Sequence, residues 1–297
     1  MVGPTASGKS ALALGIARAC GGEIVSVDSM QVYREMDIGT AKASKMMQEE
    51  VPHHLIDLVE PEQDVPVAVF QRYGRAALED IDARGVTPVI CGGSGLHFRS
   101  LIDPLEFPPS DEAVRSGLEE LDAAVARSRL EEIDPEAAEH VDLANPRRVV
   151  RALEIAAITG MTPSARAATD KAAAIRAYRP VRDVTIVGID PGEALATRVE
   201  RRFNEMLECG LLEEIAGLKD RMGRLARQAV GYKEMLPVLS GERSLDDARK
   251  DAIAATVALA KRQRTFFRRD PRIEWITWDP DPQVRLAAAQ QRLDGGV

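Results

Sequence analysis

Cysteine is scarce in this chain, and the residues present, Cys20, Cys91 and Cys209, stand far apart. Three widely spaced thiols frame neither a disulfide scaffold nor a zinc site, and they suit a reducing compartment. Long apolar runs are missing as well, since none approaches the roughly 18 residues needed to span a membrane. The start has no charged-then-apolar signal pattern, so a cytoplasmic location is the expectation. Basic excess is also absent. A formal net charge of −8 argues against coating nucleic acid through bulk charge, although a local basic groove stays possible. Internal repeats and low-complexity tracts are not evident. His53-His54 has no Cys or acidic partner at metal spacing, so these histidines read as structural or orienting rather than as zinc ligands. The 297 residues and 45% hydrophobic content fit one large globular domain plus a smaller one.

What is present begins at once. Gly3-Pro4-Thr5-Ala6-Ser7-Gly8-Lys9-Ser10 fits the phosphate-loop pattern G-x-x-x-x-G-K-[ST] at every required position. The glycines let backbone N–H groups fold around an anion, and the following helix adds its N-terminal partial charge. Lys9 would reach the terminal phosphates, and the Ser10 hydroxyl would ligate Mg²⁺. The apolar helix that should follow is there, from Ala11 to Ala17. A Gly/Ser turn that happens to precede a helix is the competing reading, and the joint agreement of spacing and context argues against it. Such a loop ordinarily follows a buried parallel strand, yet only Met1-Val2 precede it. Either that strand is lost or the true start lies upstream, and the second is favoured because a lost central strand would expose two sheet edges.

Glu23–Asp28, Gly85–Cys91 and Arg182–Asp190 read as short strands, with helical patterns such as Val69–Arg84 between them. This alternation predicts an α/β fold: a P-loop NTPase-like parallel sheet flanked by helices, with ligands at the carboxyl ends of its strands. Asp28 and the Gly92-Gly93-Ser94-Gly95 turn would then share a rim with the phosphate loop. From Pro108 the composition turns acidic and alanine-rich without strand signals, which predicts an inserted all-helical subdomain. The expected division is 1–107 with 181–280 as the core domain, 108–180 as the helical insertion, and 281–297 as a polar tail that frays at its end. Helices are also expected over 194–208, 211–220 and 245–269.

The phosphate loop alone suggests ATP or another nucleotide, with a small-metabolite kinase as the best fit by size. Such enzymes usually hold Mg²⁺ through a carboxylate ending a second apolar strand, and Val89-Ile90-Cys91 ends in glycines. Asp28 could act as a general base or as a metal ligand.

Further blocks narrow the choice. Gly3–Ser10, Asp28-Ser29-Met30-Gln31-Val32-Tyr33 and Met36-Asp37-Ile38-Gly39-Thr40-Ala41-Lys42 resemble tRNA dimethylallyltransferases in order and spacing. The likeness continues through Val51–Asp57, Gly92–Leu96, Arg148–Glu154, Ala229–Glu234 and Ala260–Gln263, covering about residues 2 to 270. The resemblance implies transfer of a dimethylallyl group from dimethylallyl diphosphate to N6 of the adenosine 3′-adjacent to the anticodon. The phosphate loop, Gly3 to Ser10, would hold the diphosphate together with Mg²⁺ on Ser10, and Arg202 would contact the same group. Arg198 and Arg201 are weaker candidates, with a solvated helix face as the alternative. Asp28 would be the base that takes the proton from a poorly nucleophilic amine. Ser94 stands where the family usually has threonine, and its hydroxyl would orient the acceptor; His97 stands at a tyrosine position and reads as structural. The adenosine must be flipped out of its stack. Asp28, Ser29, Met30, Gln31 and Ser94 would meet it, with the Gln31 amide suited to an adenine edge. Arg115, Arg147, Arg148 and Arg151 match positions that present charge to the RNA, with ion pairing inside the acidic insertion as the alternative. Lys261, Arg264 and Arg268 would form a stripe along one helix and a plausible phosphate track. Gly231-Tyr232-Lys233 has no role that its chemistry alone suggests. The partners expected are a tRNA anticodon stem-loop and dimethylallyl diphosphate, with no membrane, for a monomeric protein.

Overall fold

The computed structural model describes residues 1–294. The chain divides into two compact units: Met1–Ile102 with the residues from Asp183 onward, and Asp103–Arg182. Among the described residues, no helix is long and apolar enough to cross a membrane.

The first unit opens with the phosphate loop, then α1 (Lys9–Cys20), β1 (Glu23–Val27), α2 (Lys45–Glu50), β2 (His53–His54), α3 (Val67–Ala83), β3 (Pro88–Gly92) and α4 (Gly95–Ile102). The helical unit holds α5 (Glu112–Glu119), α6 (Ala123–Ile133), α7 (Pro146–Thr159), α8 (Pro163–Ala167) and α9 (Asp170–Arg176). The first unit then resumes with β4 (Ile186–Ile189), α10 (Leu195–Glu208), α11 (Leu211–Leu218), α12 (Tyr232–Leu239), α13 (Leu245–Phe267), β5 (Ile273–Ile276) and α14 (Pro282–Asp294).

All strand pairs are parallel, in the orders β2-β1-β3 and β4-β5. Val2 joins the two groups. It bridges Gly92 on one side and Gly188 on the other, and its N–H and C=O bond Val187 and Ile189 at 3.0 Å each. The place expected for a strand before the phosphate loop is thus filled by this fully buried residue. Its neighbours are buried on both faces, as β1 and β4 show at every position, which is what a helix-covered parallel sheet requires. Side chains alternate between two cores. Val25, Val27 and Ile186 pack with Phe70, Leu101 and Phe203 on the side of α3, α4 and α10. Ile24, Val187 and Ile189 pack with Leu12, Ile16 and Ala289 on the side of α1 and α14.

The segment read as a polar tail includes a helix. α14 buries Arg285 and Ala289 and lays Leu286 against the α1 side of the core. Its buried face is built largely from alanine, which makes little hydrophobic contrast in a sequence. Residues 295–297 of that segment lie outside the described residues.

In the helical unit, α6 and α7 enclose a small core of Ala126, Leu130, Ala137, Val149 and Leu153. Asp111, Asp122, Thr162 and Thr169 cap the helix N-termini through their side chains, the role expected of short acceptor side chains there.

Candidate active site

The phosphate loop is shaped by two glycines. Gly3 has φ of 152°, and a Cβ there would lie 2.2 Å from the Ile189 carbonyl oxygen. Gly8, at φ of 93°, takes the left-handed turn that starts α1. Three carbonyls of the loop accept side-chain donors. Arg198 Nε donates to Ala6 O at 2.7 Å, Trp278 Nε1 to Ser7 O at 3.2 Å and Lys9 Nζ to Pro4 O at 3.4 Å. Gln263 Oε1 accepts from Thr5 N at 2.8 Å. With these carbonyls bound, the N–H groups of the first turn of α1, which have no intrahelical acceptor, are left for an anion.

Cations gather around that opening. α10 buries Leu195, Val199 and Phe203 on one stripe, and this places Arg198 and Arg202 beside the loop on the adjoining stripe. Arg202 donates to Thr5 Oγ1 at 3.5 Å. Burial pushes both Lys9 and Arg202 below their usual values, opposed by the charge of Asp28. Arg198 is pushed the same way, by burial first and then by the charges of Arg201, Arg285 and Arg202. Arg198 and Arg285 both lie over the Trp278 ring, at 5.1 and 5.8 Å from its centroid. Desolvated cations crowded this closely are stabilised by an incoming anion.

Asp28 follows the last residue of β1, and its Oδ1 accepts from Met30 N at 2.9 Å. This local turn fixes the backbone of Ser29 and Met30. Gln31 is engaged within the protein. Its Oε1 accepts from Ser26 Oγ at 2.7 Å and its Nε2 donates to Thr40 O at 3.0 Å and Ala41 O at 3.4 Å. The amide expected to read an adenine edge here ties β1 to the 40–41 turn. Ser94 lies before α4, its N–H 3.4 Å from Val27 O and its Oγ 2.7 Å from His97 Nδ1. The segment leading into the 40–41 turn is held by Glu214, which accepts from the N–H groups of Asp37, Ile38 and Gly39 at 2.9, 2.7 and 3.1 Å. The Tyr232 hydroxyl donates to the same carboxylate. Lys42, its side chain 2% exposed, donates to Tyr33 O at 2.8 Å and Asp57 at 2.6 Å.

A cavity of about 900 Å³ runs through this region, and Lys9, Ser10, Asp28, Gln31, Thr40 and Arg202 all line it. Beside Asp28 and Arg202 lies a smaller apolar bay of about 110 Å³, walled by Val199, Phe203, Met206, Leu211 and Leu259. Among the described residues no group of three or more His, Cys, Asp or Glu is placed to hold a metal. The Ser10 side is exposed and opens on the cavity. One hydroxyl suits Mg²⁺, which keeps several waters and takes most other ligands from a substrate's phosphates.

The remaining expected residues take other partners. His54 bonds Glu23 at 2.6 Å, and Arg84 forks onto the same carboxylate at 2.6 and 2.7 Å. Arg264 and Arg268, read as a phosphate track, face Asp190 at 2.6 and 3.4 Å. In the helical unit, Arg115 and Arg151 converge on Glu154 at 3.1 and 2.7 Å, and Arg151 also donates to the carbonyls of Pro108 and Pro109. Arg148 pairs with Asp142 at 3.6 Å, and Arg147 is exposed.

Known proteins with this sequence pattern fix the family. The profile of the IPP transferase family matches residues 31–270, and one for isopentenyl transferase matches residues 1–54. This chain belongs to the IPP transferase family. It is 44% identical to a tRNA dimethylallyltransferase of Nocardioides sp. (strain ATCC BAA-499 / JS614), over 99% of this chain and 96% of that protein. It is 42% identical to one from Streptomyces griseus, over 93% and 88%. The crystal structure of a tRNA delta(2)-isopentenylpyrophosphate transferase from Staphylococcus epidermidis superposes with a TM-score of 0.72 at 32% identity, covering 100% and 98% of the two chains. A eukaryotic dimethylallyltransferase acting on tRNA gives 0.81 at 26% identity, over 99% and 78%.

Within this IPP transferase, several supports of the site went unread in the sequence. Trp278 and Arg285 sit in a segment with no motif, and their approach to Ser7 and Gly8 spans most of the chain. Glu214 lies in an ordinary amphipathic helix. Tyr232 did carry a signal, since it belongs to one of the family blocks, but its hydroxyl partner is visible only in three dimensions. Arg198 ranked below Arg202 because a helical arginine cluster does not declare which member turns inward.

Proposed function

We propose that this chain transfers the dimethylallyl group of dimethylallyl diphosphate to N6 of the adenosine 3′-adjacent to the anticodon in tRNA. One observation carries the reading: a single cavity is lined by the half-buried cations Lys9 and Arg202, the Ser10 hydroxyl and the Asp28 carboxylate. A diphosphate seats on the loop N–H groups, Lys9 and Arg202, where fixed charges stabilise the negative charge that grows as the C–O bond breaks. The Ser10 hydroxyl would hold Mg²⁺, which would supply further neutralisation of that charge.

The bay of about 110 Å³ suits a five-carbon alkyl group, since an apolar cavity of about 150 Å³ accommodates benzene. The acceptor amine is a poor nucleophile, and its attack on the allylic carbon requires loss of a proton. Asp28 receives that proton as the N–C bond forms and the diphosphate departs. Arg147, Arg148 and neighbouring basic residues of the helical unit supply charge for the RNA backbone.

The assay combines purified protein, dimethylallyl diphosphate, Mg²⁺ and an unmodified tRNA with adenosine at the target position. Diphosphate release with a prenylated nucleoside is the expected result. ATP hydrolysis without prenylation would instead point to a phosphate-loop kinase. Asp28→Ala is expected to lower turnover by a factor on the order of 10³ while tRNA binding stays within about twofold; an unchanged rate would remove Asp28 as the base.

A further inference from the structure

Ser94 and His97 form a pair that the reaction as described leaves unused. Ser94 Oγ lies 2.7 Å from His97 Nδ1, one helical turn apart and on one face. The ring is held edge-on against Phe70, centroids 4.7 Å apart at 85°, so rotating it away from Ser94 would forfeit a packed contact. The Ser94 N–H reaches Val27 O, the residue before Asp28, so the pair is fixed to the end of the strand that carries the base.

We propose that His97 is a positioning residue: as neutral imidazole its Nδ1 accepts the Ser94 hydroxyl proton, so that Ser94 Oγ turns its lone pairs to the acceptor amine. The argument rests on the prenyl-transfer reading above and follows from the inventory of donors. An exocyclic adenine amine presents two N–H donors and, with its lone pair delocalised, no useful acceptor. Asp28 takes one N–H and becomes the proton's destination. The second N–H needs an acceptor, and a serine hydroxyl free to rotate would present its proton as often as its lone pairs. Bonding to Nδ1 removes that freedom. No net proton moves through the pair; the proton lost from N6 ends on Asp28.

The environment keeps His97 in the required form. Burial pushes its imidazole below the usual value, opposed by the charge of Asp28 from the end of β1, while α3 faces it with Phe70. Protonation would reverse the bond, with Nδ1–H donating to Ser94 and the hydroxyl proton forced toward the amine.

The test is a double-mutant cycle in the full chain, by steady-state prenylation. His97→Phe keeps the ring and is expected to lower kcat about tenfold, with KM for dimethylallyl diphosphate within about twofold. His97→Asn, whose Oδ1 can accept where Nδ1 did, is expected to recover at least half of that loss on a logarithmic scale. In a Ser94→Ala background, His97→Phe is expected to cost less than about twofold further. Melting temperatures are recorded for each variant, and His97→Asn together with the cycle decides the matter should His97→Phe melt low. The proposal falls if His97→Phe matches the parent, if its cost is the same with and without Ser94, or if His97→Asn is no better than His97→Phe. A parent enzyme without prenylation would instead overturn the functional reading itself, whereas an active parent indifferent to His97 would overturn this inference alone.

Discussion

Glu214 holds a wall of the site with one carboxylate. Its two oxygens accept three backbone N–H groups from 37–39 and the Tyr232 hydroxyl, and burial together with the Glu214 charge pushes the Tyr232 phenol up, so it stays a donor. A glutamine at this position keeps one acceptor oxygen and turns an amide donor toward N–H groups that are themselves donors. Glu214→Gln is therefore expected to cost about 3 kcal/mol in urea unfolding, and Tyr232→Phe about 1 kcal/mol, because the carboxylate retains its backbone partners. Equal and small losses would show that the turn is held elsewhere. Gly39 belongs to the same arrangement, since a Cβ there would lie 2.4 Å from the Tyr232 ring. The block Met36–Lys42, which sequence marks but does not explain, is the piece of chain that Glu214, Tyr232 and Lys42 fix beside Asp28.

Two segments from the later part of the chain brace the phosphate loop. α10 contributes Arg198, and the segment between β5 and α14 contributes Trp278, whose ring meets both Arg198 and Arg285. Trp278→Phe keeps an aromatic face for the arginines and removes the bond to Ser7 O. If that bond orients the loop, KM for dimethylallyl diphosphate rises about fivefold while KM for tRNA changes less than twofold, a split that a general loss of packing would not produce. The strands β1, β3 and β4 were legible in advance, as were α3, α10, α11 and α13, because each carries its own apolar period and turn punctuation. β2 and β5 were not, since they draw their identity from pairing with β1 and β4. α14 was missed because alanine packs against α1 without looking hydrophobic. At the site the same division holds. Gly3, Gly8, Lys9, Ser10 and Asp28 are marked as candidates by their spacing, whereas no spacing signals the hydrogen bonds that Gln31 and Arg115 make. Their side chains bond Thr40 O and Glu154.

Across the whole molecule, charge is what environment and substrate can change. In the helical unit, burial pushes Glu154 up, but bonds from Arg151, Ser110, the Asp111 N–H and Arg115 outweigh it and hold the carboxyl at about 2. In the first unit, bonds from Arg84, against burial, and then from His54 bring Glu23 to about 2 as well. Both folded values lie below an ordinary carboxylate near 4.3, so their stabilisation is complete above that value and is lost as pH falls from about 4.5 toward 2. The urea midpoint should drop through that window, and Glu154→Gln should flatten part of the drop while costing about 3 kcal/mol at neutral pH. An unaltered acid profile in the variant would mean that Glu154 is not held down as described.

The same bookkeeping separates arginines that stabilise from arginines free to meet RNA. Arg115 and Arg151 neutralise a side chain that is fully buried, so Arg115→Ala should act first on stability. Arg147 is exposed, and a phosphate contact there would release counterions on binding. tRNA affinity should therefore weaken steeply with salt despite the net charge of −8, because the slope counts local contacts and not the total. Arg147→Ala should lower the magnitude of the log–log slope by about 1 and leave the urea midpoint unmoved. A slope that is flat in the parent protein would remove the basic surface from the account of RNA binding, and a slope unchanged in the variant would remove Arg147 from that surface.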